Sequence, residues 1–293
     1  MVLLVAGGHE DPNLNVLVNA AERADVEVLD LRLPASEGPA FCWNPAEGWP
    51  RISDKDIKAT GAFIRHDVFG GMRDPRPAVS TRALGWYQTI WGWLLSEPHI
   101  RMFNREMSPA ASNKPASLVA ARRAGLPIPA TVITNQVEML RKERFQSMVA
   151  KPVLGGDYCY SLDEALTKAG VRNGLSAIPA IVQQRLVAPE IRIYVIGQFA
   201  IAFEVRSDSL DYRVTQDAEL TLLPEAPKEL PALRKLMSML GLDFGAADFK
   251  TDPKTKQLVF LELNTSPMFA RFDYVSGGKL CAAIVQELTE HMQ

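Results

Sequence analysis

Cysteine is scarce in this chain. Cys42, Cys159 and Cys281 stand far apart and are odd in number, so neither a disulfide framework nor a cysteine metal spacing follows from them. They read as the reduced thiols of a cytoplasmic protein. Basic runs are missing too: Lys and Arg do not gather into blocks and the formal net charge is -2. Nothing in this balance suggests a general attraction to nucleic acid or to an anionic membrane, and any basic partner site must be local. The apolar opening of the chain is far too short to span a bilayer. The opening Met1-Val2-Leu3-Leu4-Val5-Ala6-Gly7-Gly8 lacks a basic flank and is read as a buried strand, not a signal peptide. Repeats and low-complexity tracts are also absent. What remains is ordinary for a soluble globular protein: 293 residues, 47% hydrophobic and 23% charged, enough for two or three subdomains.

The first hundred residues alternate strand-like and helix-like pieces. Met1 to Ala6, Val26 to Leu31 and Ala62 to Arg65 read as strands; Asn13 to Ala24 and the Trp-rich Thr81 to Leu95 read as helices, the latter buried. Such alternation predicts a small parallel α/β unit. Gly7-Gly8, after the first strand, is read as a tight turn, with a phosphate-binding loop as the alternative. Arg65-His66-Asp67, at a strand end, is where such sheets place ligand contacts.

The most informative stretch lies near the end. Phe244 to Lys250 and Leu258 to Asn264 are apolar runs separated by the turn sequence Asp252-Pro253-Lys254-Thr255-Lys256. If they form an antiparallel hairpin, setting Asp248 against Glu262 puts the midpoint at Thr255, inside that turn. Strand alternation then gives Val259, Leu261 and Leu263 one face, and Phe260, Glu262 and Asn264 the other. Two like charges directly opposed are destabilising. Asp248, Glu262 and Asn264 together are instead three hard oxygen ligands of the kind Mg2+ takes when it also holds phosphate oxygens. The plainer alternative is one solvated acid and one capping acid.

Upstream, Asn113-Lys114-Pro115 opens a helix that stops at Gly125, with Ser112 or Asn113 as its N-cap. Lys114 at that helix mouth is either a surface lysine or a phosphate contact. Ser147 to Pro152 is a strand carrying Lys151, followed by the loop Val153-Leu154-Gly155-Gly156-Asp157-Tyr158. A lysine and backbone N–H groups arranged this way can cover phosphates. Ile181-Val182-Gln183-Gln184-Arg185-Leu186 leads into a hairpin turned at Gly197-Gln198. Glu190 and Arg192 share a strand face, where they either pair with each other or bind ribose and phosphate. Arg213 sits in a later loop, Pro231 to Leu240 is an amphipathic helix ended by Gly241, and Gly277 to Met292 is a last helix.

From about Phe103 onward, this ordered set resembles the ATP-grasp superfamily. It comprises Asn-Lys at a helix start, Lys-Pro at a strand end, Val-Gln-Gln, Pro-Glu-Ile-Arg, Asp-Tyr-Arg, Gly-Leu-Asp-Phe-Gly-Ala-Ala-Asp-Phe and Val-Phe-Leu-Glu-Leu-Asn. Within it, the chain looks like RimK-type ligases, above all the peptide-tailoring ligases of microviridin-like (graspetide) products. The resemblance implies an α/β and α+β architecture: an N-terminal parallel α/β pre-ATP-grasp domain (1–102), a central lobe (103–185) and a C-terminal lobe carrying the metal site (186–293), with ATP between the lobes. It implies that Lys114 and Lys151 contact the phosphates, Lys151 also the adenine region. Gln183, Gln184, Arg185 and Leu186 would offer backbone groups to adenine, and Glu190 would hold the ribose. Asp248, Glu262 and Asn264 would coordinate Mg2+ or Mn2+, and Arg192 and Arg213 would neutralise the transferred phosphoryl group. Two departures stand out: the loop after Lys151 is not the longer Gly-rich version of many members, and Thr265-Ser266-Pro267-Met268 follows Asn264 where relatives often carry Pro and then Gly.

The implied activity is ATP-dependent joining of a carboxylate to an amine or hydroxyl through an acyl-phosphate. The substrate is a peptide or amino acid; nucleic acid and membrane are not expected as partners, and a homodimer stays open. The rival readings are a small-molecule kinase on the same scaffold and a nucleotide-binding protein without catalysis.

Overall fold

A computed structural model describes residues 1–34, 37–46, 48–53, 55–145, 147–154, 159–207 and 218–290. Packing divides the chain into two compact units: Met1–Arg105 with Ile196–Phe199 and Ser266–Gln293, and Glu106–Val195 with Ala200–Thr265.

In the first unit, strands β1 (Val2–Gly8), β2 (Glu27–Leu33), β3 (Gly61–Ile64) and β4 (Arg101–Met102) form a sheet of order β2-β1-β3-β4. All three pairings are parallel, as the alternation predicts. Helix α1 (Pro12–Arg23) is N-capped by Asp11, whose side chain accepts from the Asn13 N–H. Helix α2 (Phe69–Arg73) is short, and α3 (Pro77–Ser96) is the Trp-rich segment. That helix is amphipathic and not buried throughout. Ile90, Trp93 and Leu94 enter a core with Leu4, Ala6, Ile57 and Met102, and Val79 is also buried, while Leu84 and Leu95 are exposed. Bulk hydrophobicity alone concealed the polar stripe.

Residues after Ser266 belong to this unit, and polar side chains fix them there. The Asn13 side-chain oxygen accepts from the Phe269 and Ala270 N–H groups at 2.6 and 2.8 Å. Arg65, buried and paired with Asp11 at 2.9 Å, donates to the Pro267 carbonyl at 2.6 Å. Arg65 is therefore tied into the fold, and it also borders a cleft of this unit. The last helix of the unit (Lys279–Thr289) lies so close to β3 that a Cβ on Gly61 would stand 2.2 Å from the Leu288 carbonyl oxygen. Gly61→Ala is expected to cost roughly 2–3 kcal/mol, because a rigid backbone atom cannot yield; urea unfolding measures it.

The second unit holds two antiparallel sheets. In one, β5 (Thr131–Gln136) and β6 (Met148–Pro152) flank β7 (Leu175–Gln184). In the other, β8 (Val187–Ile196), β9 (Phe199–Arg206), β10 (Glu219–Leu222), β11 (Phe244–Thr251) and β12 (Leu258–Asn264) run in the order β10-β9-β8-β11-β12. Helices α4 (Lys114–Ala124) and α5 (Leu230–Met239) cover one face of this second sheet. There Leu118, Ala121, Leu233 and Leu236 pack on Ile191, Ile193, Ala247 and Phe249. Burying one face leaves the alternate residues of β8, β11 and β12 for chemistry.

Candidate active site

The β11–β12 register is the one expected: Asp248 opposes Glu262 and Ala246 opposes Asn264. Asp252 builds the turn, its side chain accepting from the Lys254 and Thr255 N–H groups at 2.7 and 2.8 Å. One expectation is overturned. A bulge shifts the ladder so that Phe249 opposes Phe260, and Phe260 joins Leu263 in the apolar core. Phe260 therefore does not share the face of Glu262 and Asn264. The extra residue lets both Phe249 and Phe260 be buried, with ring centroids 5.7 Å apart.

Glu190 and Arg192 do not pair with each other. Each reaches across to β11. Arg192 grips Asp248 with both ends of its guanidinium, Nε to Oδ1 at 2.7 Å and Nη2 to Oδ2 at 2.9 Å. Asn264 Nδ2 donates to the same Oδ2 at 3.0 Å. Glu190 pairs with Lys250 at 3.0 Å. Lys250 is the residue that sequence reading missed. It lies two positions beyond Asp248, so strand alternation places it on the same face.

α4 begins where expected. Asn113 caps it by accepting from the Ala116 N–H at 3.0 Å, and Gly125 closes it at φ +99°. This sets Lys114 Nζ 3.8 Å from Glu262 Oε2, each side chain about 31% exposed. Lys151 lies on β6 and adds positive potential at Asp248. Four cations (Lys114, Lys151, Arg192, Lys250) are thus grouped with three acids (Glu190, Asp248, Glu262). That surplus of positive charge suits a polyphosphate.

Burial pushes the Asp248 carboxyl above its ordinary range, while Arg192 pulls it back. Glu190 is also raised, by burial and then by the charge of Asp248, with Lys250 opposing. Removing Lys250 leaves a buried carboxylate uncompensated. Lys250→Met is expected to cost roughly 3 kcal/mol at neutral pH. Because the folded-state pKa of Glu190 lies above its unfolded value, and rises further without Lys250, protonation relieves the loss. The deficit should therefore shrink as pH falls through that raised pKa, which denaturant titrations from pH 7 to 4.5 would measure.

The hinge residues divide. Gln183 is buried in the ladder, its amide donating to Thr131 Oγ1 at 3.1 Å. Gln184 donates to Asp252 Oδ2 at 2.8 Å, tying the hinge to the β11–β12 turn. Arg185 and Leu186 stand between β7 and β8, outside either ladder. Arg213 and the loop residues 155–158 and 210–212 lie outside the described residues.

Two carboxylates and an amide oxygen on one face are hard donors. They fit Mg2+ sharing its shell with phosphate oxygens. Among the described residues no three His, Cys, Asp or Glu side chains gather into a ready-made cage. No described helix is long and apolar enough to cross a membrane.

No protein-family model matches the chain, and no curated protein matches it. Solved structures do. The ATP-grasp ligase PsnB, complexed with a phosphomimetic variant of minimal precursor, Mg and ADP, superposes with a TM-score of 0.75 at 22% identity, over 99% of this chain and 98% of that one. The macrocyclase MdnC from Microcystis aeruginosa MRC, bound with precursor peptide MdnA, gives 0.71 at 18% identity over 98% and 99%. A Chryseobacterium gregarium RiPP-associated ATP-grasp ligase, in complex with ADP and a leader and core peptide, gives 0.69 at 18% over 100% and 97%. The chain has the ATP-grasp fold.

Proposed function

We propose that this chain is an ATP-dependent ligase that joins a carboxylate to an amine or hydroxyl on a peptide. The observation that carries the reading is the opposition of Asp248 and Glu262 across β11 and β12, with Asn264 beside them and four cations around them. The peptide substrate is supported by the fold likeness to PsnB and MdnC, which were solved with precursor peptides.

In this reading Asp248, Glu262 and Asn264 hold Mg2+, or Mn2+ in its place. The ion supplies Lewis acidity and a template for the phosphate oxygens. Lys114 and Lys151 bind the phosphates as point charges. The backbone at Gln183, Gln184, Arg185 and Leu186 faces the adenine edge, and Glu190, held by Lys250, accepts from the ribose hydroxyls. Arg192, with Arg213, bears on the transferred phosphoryl group, where charge spreads over the equatorial oxygens. A substrate carboxylate oxygen attacks the γ-phosphorus and ADP leaves. An amine or hydroxyl then attacks the acyl carbon, expelling phosphate. The protein's part is positioning and charge stabilisation.

Hydroxylamine trapping tests this. Incubation with ATP, Mg2+ and peptides rich in Thr, Ser, Asp and Glu is expected to release ADP and yield a hydroxamate. A stable phosphate ester would identify a kinase, and nucleotide binding with no ADP release from any acceptor would leave a binding protein.

A further inference from the structure

The first unit contains a cleft that none of the nucleotide chemistry uses. It opens at the carboxyl ends of β1, β2 and β3, where Gly7, Leu33 and Ile64 border it. β1 has β2 on one side and β3 on the other, so the chain reverses its direction of travel across the sheet beside β1. Carboxyl ends at such a switch point are where open α/β sheets bind ligands. Gly7 is required there: at φ +148°, a Cβ would come within 2.7 Å of the Arg65 carbonyl oxygen and of Leu14 Cδ1.

The opposite wall is one stripe of α3, with Val79, Ala83, Trp86, Tyr87 and Ile90 recurring at helical spacing. Val79 and Ile90 are buried and form the base; Trp86 and Tyr87 are half-buried. Trp86 is held edge-on by Phe41 at 5.8 Å, and Tyr87 lies between His66 at 5.7 Å and Trp91 at 5.4 Å. The aromatic walls are thus fixed by packing before any ligand arrives. Three charged groups line the same cleft, and one of them, Arg65, is taken up by Asp11. Arg82 is exposed and, among the described residues, makes no hydrogen bond or ion pair. Asp67 spends Oδ1 on the Phe69 and Gly70 N–H groups at 2.9 and 3.0 Å, leaving Oδ2 without a partner.

An apolar, aromatic base with one unpaired cation and one unpaired carboxylate oxygen among its lining groups matches a particular chemistry. We infer that this cleft binds an aromatic amino-acid residue. Its ring lies against Trp86 and Tyr87, its carboxylate or carbonyl on Arg82, and its ammonium or N–H on Asp67. Edge-to-face or offset ring contact favours an aromatic over an aliphatic side chain of similar size. The role of the site as a substrate anchor rests on the peptide-ligase reading; the binding itself does not.

Saturation-transfer NMR on the full chain without nucleotide tests the inference, using L-phenylalanine, N-acetyl-L-phenylalaninamide and L-alanine as probes. Both phenylalanine probes are expected to bind and L-alanine not. A bound free acid with an unbound amide assigns the site to a free amino acid; binding of both assigns it to a residue within a chain. Arg82→Ala, at an exposed position, should weaken L-phenylalanine about tenfold, the worth of a charge-assisted hydrogen bond. Ala83→Trp should fill the cleft and abolish binding of both probes. Equal signals from phenylalanine and alanine, no binding of either phenylalanine probe, or phenylalanine affinity unchanged in Arg82→Ala and in Ala83→Trp would each overturn the assignment. ADP release is a separate readout, so failure of the ligase reading is not mistaken for failure of this one.

Discussion

Glu262→Gln is expected to lower peptide-dependent ADP release by about three orders of magnitude while leaving the protein folded. The substitution keeps the shape of the side chain and removes one negative charge from the pair on β11 and β12. A divalent ion that polarises a phosphoryl oxygen is worth several kcal/mol of transition-state stabilisation. Each 1.36 kcal/mol is a factor of ten in rate. Stability should barely change, because the Glu262 side chain is about 31% exposed and its contact with Lys114 is a loose 3.8 Å. Substitutions of this kind move unfolding free energies by about 0.5 kcal/mol or less. Steady-state ADP release beside a thermal melt gives both numbers. Wild-type turnover in the variant would remove Glu262 from the metal set, and a collapsed melt would make its role structural.

How far residue order reaches is clear from that hairpin. Asp252 and Thr255 are legible as a turn, and the turn sets the register, so residue order alone places Asp248 opposite Glu262. The bulge beyond Asp248 is not placed this way, because it answers to the volume of Phe249 and Phe260 in a core shared with α4 and α5. The parallel sheet of the first unit followed from alternating pattern alone. Its anchor did not: Asp11, Asn13 and Arg65 hold residues near 266–270, and nothing local to those three signals a partner more than two hundred positions away. Glu190 and Arg192 show the same limit. Their shared face was readable, but which acid meets which base depended on the strand order β8-β11, a tertiary fact.

That strand order carries the last expectation, a gain of metal binding in Arg192→Gln. In the structure both oxygens of Asp248 are taken, Oδ1 by Arg192 Nε and Oδ2 by Arg192 Nη2 and Asn264 Nδ2. A cation already neutralises this carboxylate, so a divalent ion added alone must displace a bidentate guanidinium, among the stronger charge-assisted contacts. Removing the guanidinium has two consequences of opposite sign. Asp248 is buried, and leaving it unpaired should destabilise the fold by roughly 3–5 kcal/mol. The freed carboxylate then becomes the best available ligand for a hard ion. Mn2+ without nucleotide should raise the melting temperature of Arg192→Gln and barely move that of the wild type, since an ion that binds only the folded state stabilises it by mass action. The manganese EPR signal should likewise be quenched by the variant alone. Equal protection of both proteins by Mn2+ would show that Arg192 does not stand in the ion's way, and the grip it has on Asp248 would then be ordinary packing of a buried charge.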